Sequence, residues 1–408
     1  MIDGILTLDD YNFAGKTVLV RCDLNTPLDP KTGEFLEDRR IQSHKETIQE
    51  LSDKKARIVV MAHQGRAGES EFTTLEKHAQ RMTQVYGIEV KYVDDIFGTY
   101  ARNTIKNMRD GEVVLLENVR FYSEEELERP ADVQATTYIV KKLAPLADAF
   151  VNDAFGTAHR SQPTTVGFTQ VLPSLAGRVM EKEVRSLSAV LKNPKKPLVF
   201  VLGGAKVKDS INIINKVLEG EVQYILTGGV LANIFLAAKD YRLGEPSIEF
   251  IRGKKVIDQI EVAKKILEKH EDKIILPVDL AIDEGGERVE IPVSELPQDY
   301  KIVDVGKETV KKYSDLICMA GTVFANGALG VYENKKFAYG TEEIIKAVAG
   351  CPGFSVIGGG DTVAAARDLN LEDKITHVST GGKASIDFLA GQKLAAIEAL
   401  KASAQRKR

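Results

Sequence analysis

The strongest constraint on the fold is an alternation. Short β-branched runs recur along the chain, and stretches with helical spacing of apolar residues separate them, as in parallel sheets whose strands are connected through helices. In the first half the strand candidates are TVLVRC from Thr17, RIVVMA from Arg57, IEVKYV from Ile88, EVVLLE from Glu112 and DAFVND from Asp148. In the second half they are PLVFVL from Pro197, VQYILT from Val222, KIILPV from Lys273, DLICMA from Asp315, FSVIGG from Phe354 and ITHVST from Ile375. The expected class is α/β, with two doubly wound, mostly parallel, Rossmann-like sheets in series. A length of 408 residues also exceeds one ordinary core.

Residues 174–197 lie between the two sets and read as a hinge helix. Ser174 is a candidate cap, Leu175, Val179, Val184, Leu187 and Leu191 recur on one face, and Pro194 is a stop. The expected domains are therefore 1–173 and 198–391, with 392–408 completing the first. The last residues, AQRKR from Ala404, read as a frayed basic end.

Composition narrows the function class. The formal net charge is -4, which argues against a nucleic-acid partner or a membrane surface, so any anion site must be a local concentration of cations. Cys22, Cys318 and Cys351 form no CxxC pair, which points to a reducing compartment without disulfide or zinc framework. The acidic opening, MIDGILTLDD, is unlike a signal peptide, and no apolar run reaches the roughly 20 residues of a membrane span. A cytoplasmic enzyme, monomeric or else homodimeric, is expected.

Ligand crevices of open α/β sheets lie outside the carboxyl ends of the strands. In the first half those ends carry cations and amides, with two carboxylates among them: Arg21, Asp23 and Asn25; His63 and Arg66; Asn118 and Arg120; Asn152, Asp153, His159 and Arg160. Arg40, in DRRIQSH, stands at the entry to the first long helix. One arginine after a strand is ordinarily a solvated loop residue, but four strand ends loaded alike in an acidic chain outline a cradle for a small polyanion. His44, His78, His270 and His377 have no partner pattern and read as structural.

In the second half the strand ends carry glycines instead: Gly203 and Gly204, Gly228 and Gly229, Gly358 to Gly360, Gly381 and Gly382. One such pair makes a tight turn; four in one sheet suggest phosphate held at helix N-termini. Lys206 and Lys208 add positive charge, and Asp361 suits Mg²⁺, which binds through one or two carboxylates plus substrate phosphates. Neither a GxxxxGK[ST] loop nor a GxGxxG fingerprint after a strand occurs. A kinase with nucleotide on one domain and a small anionic acceptor on the other fits the division. A two-domain dehydrogenase lacks its fingerprint, and a solute-binding protein would leave the glycine loops unexplained.

The segments RCDLNTP, AHQGR, LLENVRF, VNDAFGTAHRS, LGGAKVKDS, NGALGVYE, VIGGGDT and HVSTGGKAS occur in the order found in phosphoglycerate kinases. From about Lys16 to Gly391 the chain resembles that family. The resemblance implies reversible phosphoryl transfer between ATP and the carboxylate of 3-phosphoglycerate, giving ADP and 1,3-bisphosphoglycerate, in glycolysis and gluconeogenesis. It assigns the acid to Arg21, Asp23, Leu24, Asn25, Arg40, His63, Gln64, Gly65, Arg66, Arg120 and Arg160. It assigns the nucleotide to Gly204, Ala205, Lys206, Asn326, Glu333, Gly359, Gly360, Asp361 and Thr362, with Asp361 also facing Mg²⁺. Arg40, Lys206 and the amides of Gly381 and Gly382 would meet the transferring phosphoryl group.

Members of the family often carry a second lysine four residues after Lys206, where this chain has Ser210. Lys208, or Lys383 in place of the third glycine of STGGG, is the candidate replacement. An acceptor carboxylate is already ionised near neutral pH, so no general base is expected. Substrates on separate domains must be brought together by closure.

Overall fold

The computed structural model describes residues 1–406. It divides into two compact units, Met1–Arg185 joined by the segment from Lys393, and Ser186–Gln392. No helix among the described residues is long and apolar enough to cross a membrane.

The first unit is built on a six-stranded parallel sheet. Its strands are β1 (Thr17–Arg21), β2 (Arg57–Met61), β3 (Val90–Val93), β4 (Val113–Leu116), β5 (Ala149–Asn152) and β6 (Ser174–Ala176), in the order β3-β4-β2-β1-β5-β6. The central strands are buried on both faces. Val18, Val20, Ile58 and Val60 join one apolar layer, while Leu19, Val59 and Met61 join the other. Both layers are closed by helices, which is why these strands read as continuous apolar runs. Because β2 lies on one side of β1 and β5 on the other, the strand order reverses at β1/β5, the place where open α/β sheets ordinarily bind their ligands.

The second unit repeats this plan with β7 (Leu198–Leu202), β8 (Tyr224–Thr227), β9 (Ile274–Ile275), β13 (Thr322–Asn326), β14 (Phe354–Gly358) and β15 (His377–Val378). Their order is β15-β14-β13-β7-β8-β9, all parallel, with the reversal at β7/β13. A separate antiparallel sheet, ordered β11-β10-β12, is formed by β10 (Asp279–Glu284), β11 (Glu287–Pro292) and β12 (Ile302–Val305). Gly285 and Gly286, at φ 62° and 88°, make the two-residue turn between β10 and β11.

Four sequence expectations are corrected. DLICMA is not a strand: Asp315–Cys318 closes the helix Lys307–Cys318, on which Val310, Tyr313 and Ile317 recur at helical spacing and are buried. The strand begins later, at Thr322. Ser174 is not a helix cap but opens β6, paired to β5, and the junction helix runs Arg178–Lys192. Arg40 enters a helix of only five residues, Arg39–Ser43, with the longer Lys45–Asp53 following. Finally, Ala404, Gln405 and Arg406 are not frayed. They end the helix Ala395–Arg406, where Ala404 is buried and Arg406 donates to the Thr169 carbonyl; Lys407 and Arg408 lie outside the described residues.

Candidate active site

At the β1/β5 reversal of the first unit, cationic side chains are held in place by one another's neighbours. Arg21 ends β1 and is buried. Its Nε donates to Thr164 Oγ1 at 2.8 Å, Nη1 to the Cys22 carbonyl, and Nη2 to His63 Nδ1 at 2.9 Å. An arginine can only donate, so Nδ1 of His63 is an acceptor and the ring carries its proton on Nε2. Burial, reinforced by Arg21, holds the His63 pKa well below the ordinary histidine value. His63 is thus a neutral, oriented N–H donor.

Asp23 pairs with Arg40 through Oδ2 and Nη1. Burial would raise its pKa, but Arg40 and Arg21 outweigh this and hold the carboxyl far below the usual range. Asn25 Oδ1 accepts the Gly65 amide at 2.8 Å, and the Gly65 carbonyl accepts from Arg120 Nη1. Arg120 is buried, with Nε 3.2 Å from Glu126 Oε1. Burial lowers its pKa to about 10; Glu126 opposes this, while Arg160, Arg21 and Arg66 push it further down. Arg66 is exposed and Arg160 half-buried, so both are available to a ligand. Mutual repulsion among these cations is what a bound polyanion would relieve.

Arg21, Leu24 and Gln64 are all buried. Arg21 is bonded to His63, and Leu24 lies among apolar neighbours. The Gln64 side chain is spent on both backbone groups of Thr26, at 2.9 Å each.

In the second unit the reversal at β7/β13 opens into a cavity of about 350 Å³. Its lining includes Gly204, Ala205, Gly229, Glu333 and Asp361, with apolar walls from Val230, Leu280, Val303 and Leu329. That volume lies within the range of small-molecule pockets. The glycine loops divide into two kinds. At the reversal the Gly203, Gly204 and Gly229 amides donate to the carbonyls of Asn326, Ala328 and Leu329. These glycines let two backbones touch, and their N–H groups are not left for phosphate. The loop after β14 differs: Gly359 turns at φ 83°, and the helix Gly360–Asp368 has no side-chain cap, so its first-turn amides are left for a ligand. Gly360 and Asp361 are exposed there, while Thr362 Oγ1 accepts the Gly327 amide at 2.7 Å.

Asn326 Oδ1 is buried and has no partner, as has Asn233 Oδ1 on the cavity wall. Both suit a ligand with donor groups. Lys206 is exposed ahead of the helix Val207–Leu218. Gly381 is buried with its amide on Ser379 Oγ at 3.2 Å; Gly382, at φ 51°, is exposed. Ser210 is buried and supplies no charge. Lys208 pairs with Asp258 at 3.8 Å, whereas Lys383 bonds Asp387 at 2.9 Å and lies 4.0 Å from Asp209 in the first turn after Lys206.

Sequence reasoning missed Asn233, Phe250, Lys254 and Lys301 of the cavity. The Lys301 ammonium sits 3.6 Å from the centre of the Phe250 ring. These residues come from helices and loops without a motif, and only the fold assembles them. His44, read from the sequence as structural, is buried with its ring bonded on both sides.

The model of the phosphoglycerate kinase family matches residues 8–392. A phosphoglycerate kinase of Methanothermobacter thermautotrophicus is 51% identical over 398 residues, covering 97% of each chain. One from Methanosarcina mazei is 50% identical over 402 residues, covering 98% of this chain and 96% of its own. The crystal structure of the Pyrococcus horikoshii phosphoglycerate kinase superposes with a TM-score of 0.90 at 40% identity, over 99% of this chain and all of that one. With its paired α/β sheets and this similarity over nearly its whole length, the chain belongs to the phosphoglycerate kinase family.

Proposed function

We propose that the two substrates of this kinase are divided between its units, 3-phosphoglycerate on the first and ATP on the second. The crowding of Arg66, Arg120 and Arg160 carries the reading: Arg120 is depressed to about 10 by burial and by like charges that a carboxylate and a phosphate would neutralise. Asn25, Arg40 and the outward Nε2–H of His63 complete the acid's donors. The nucleotide occupies the cavity of the second unit. Its phosphates lie at the first turn of Gly360–Asp368, and Asn326 and Glu333 face its sugar and base.

The acid's carboxylate is ionised at neutral pH and attacks the γ-phosphorus in line, so the protein supplies positioning and charge rather than a base. Arg40, half-exposed and steered by Asp23, neutralises the transferring group from the acid's side, and Lys206 and the Gly382 amide do so from the nucleotide's side. Asp361 offers an exposed, hard carboxylate oxygen on the cavity, which suits Mg²⁺ held also by substrate phosphates; the ion shields charge on those phosphates. Reacting atoms must come within about 3–3.5 Å, so the units close on their substrates during turnover. The reaction belongs in the cytoplasm, in keeping with three free cysteines.

ADP release from MgATP and 3-phosphoglycerate, followed in a coupled assay, tests the reading. Arg120→Ala should raise KM for the acid at least tenfold and leave KM for ATP within twofold. Equal loss for both substrates would contradict the division.

A further inference from the structure

We propose that His44 is a positioning residue, tying the loop at Asp23 to the start of the junction helix through Asp153. The inference rests on the assignment of that loop to the acid substrate. His44 is 1% exposed and closes the short helix that carries Arg40. Its Nε2 receives the Asp23 backbone N–H at 3.0 Å, and its Nδ1 lies 2.7 Å from Asp153 Oδ2. Asp153 in turn caps the helix Arg178–Lys192: its Oδ1 accepts the N–H groups of Val179 at 2.9 Å and Met180 at 3.4 Å. The approach is possible because residue 177 is glycine, since a Cβ there would lie 2.2 Å from Asp153 Oδ1. The Asp153 amide also donates to the Arg21 carbonyl at 2.9 Å. One imidazole therefore links the Arg40 helix, the Asp23 backbone and the helix that runs from the first unit into the second.

Cys22 Sγ joins His44 and Asp153 within 4.8 Å, a grouping that could hold a metal. Here, however, both ring nitrogens and both carboxylate oxygens are already bonded, which favours a relay of hydrogen bonds. The relay has a fixed sense at Asp153. The carboxylate oxygen can only accept, so Nδ1 carries a proton directed at it, while Nε2 stands 3.0 Å from the Asp23 N–H and 3.3 Å from the Asp23 carbonyl. Burial would lower the ring's pKa, but Cys22 and Asp153 outweigh this and hold it well above the ordinary histidine value.

That sense makes Asp153→Asn informative. To keep the cap, the asparagine must turn its carbonyl to Val179, which leaves its NH₂ facing Nδ1. Nδ1–H and the NH₂ are then two donors face to face, so the ring must give up its Nδ1 proton or shift, and its contact with the Asp23 backbone changes with it. An isosteric change at Asp153 should thus be felt at Asp23, and only through His44.

The test is a double-mutant cycle on the full chain with His44→Asn, Asp153→Asn and the pair, read by steady-state kinetics in both substrates. His44→Gln, whose carbonyl can still accept the Asp23 amide, is the conservative variant and should keep kcat/KM for 3-phosphoglycerate within threefold of the parent. His44→Asn and Asp153→Asn alone should each lower kcat/KM for 3-phosphoglycerate at least tenfold while KM for ATP stays within twofold. Adding Asp153→Asn to His44→Asn should cost less than threefold more. Independent, multiplicative losses would overturn the relay, as would His44→Asn or Asp153→Asn within twofold of the parent. If the parent itself formed no ADP with 3-phosphoglycerate, the substrate assignment would fail instead.

Discussion

The Arg21 guanidinium donates through Nη2 to Nδ1 of His63 at 2.9 Å, so a buried cation determines which nitrogen of a buried histidine carries the proton. Because the ring is held neutral, kcat/KM for 3-phosphoglycerate should show no histidine ionisation between about pH 6.5 and 8. Below about 6.5 the unfolded ring takes up a proton that the folded ring refuses, so this site loses stability as pH falls. His63→Ala should raise KM for the acid about tenfold or more, the loss expected of a hydrogen bond to a charged group. Arg21→Lys should do similar damage although Arg21 is buried, because it holds the His63 ring. A pH–rate profile with an inflection near 6.5 that vanishes in His63→Ala would contradict the assigned proton.

A second buried group acts with the opposite sign. Glu125 is fully buried and accepts from Thr164 Oγ1; burial raises its pKa to about 7, against the pull of Arg21 and Thr164. An acid with a raised folded pKa destabilises the fold as pH rises from its unfolded value near 4.5 to about 7. At about 1.4 kcal/mol per tenfold in proton affinity, the cost above pH 7 is on the order of 3 kcal/mol. Glu125→Gln should therefore gain melting temperature relative to the parent at pH 8 and much less at pH 5. Calorimetry at the two values decides it, and a constant offset would refute the argument.

On the nucleotide side, Gly359 adopts φ 83°, and a Cβ there would stand 2.6 Å from Asn326 Oδ1. Gly359→Ala combines backbone strain with a blocked acceptor, and should raise KM for ATP at least tenfold while binding of 3-phosphoglycerate stays within twofold. Titration calorimetry with each substrate separates the effects, and a parallel loss of acid binding would argue against the assignment.

Between the two lysines that could replace the charge absent at Ser210, geometry favours Lys383, which reaches the first turn after Lys206, over Lys208, whose partner is Asp258. Lys383→Ala should lower kcat about tenfold, and Lys208→Ala should leave it within twofold. The reverse ranking in single-turnover kinetics would exchange the roles.

Much of this was legible in the chain. Val18, Val20, Ile58 and Val60 announce strands because parallel strands bury both faces, and the loaded strand ends announce crevices. What local pattern could not show was topology. Ser174 resembles a cap until β5 is known to pair with it, and the true cap, Asp153, lies 26 residues before Val179. The run at Asp315 is apolar enough for a strand, yet Val310, Tyr313 and Ile317 fix its helical phase. Glycine pairs looked alike in sequence but separate in space, some joining two backbones and one leaving a helix end open. His44 looked solitary because its partners stand 21 and 109 residues away.

The division of substrates is tested most directly by hydrogen exchange on the full chain with one substrate at a time. 3-Phosphoglycerate alone should protect amides around Asp23–Asn25, His63–Arg66, Arg120 and Arg160. MgATP alone should protect the segments at Gly204–Lys206, Asn326–Glu333 and Gly359–Thr362. Protection of the first set by MgATP alone, or of the second by 3-phosphoglycerate alone, would contradict the account.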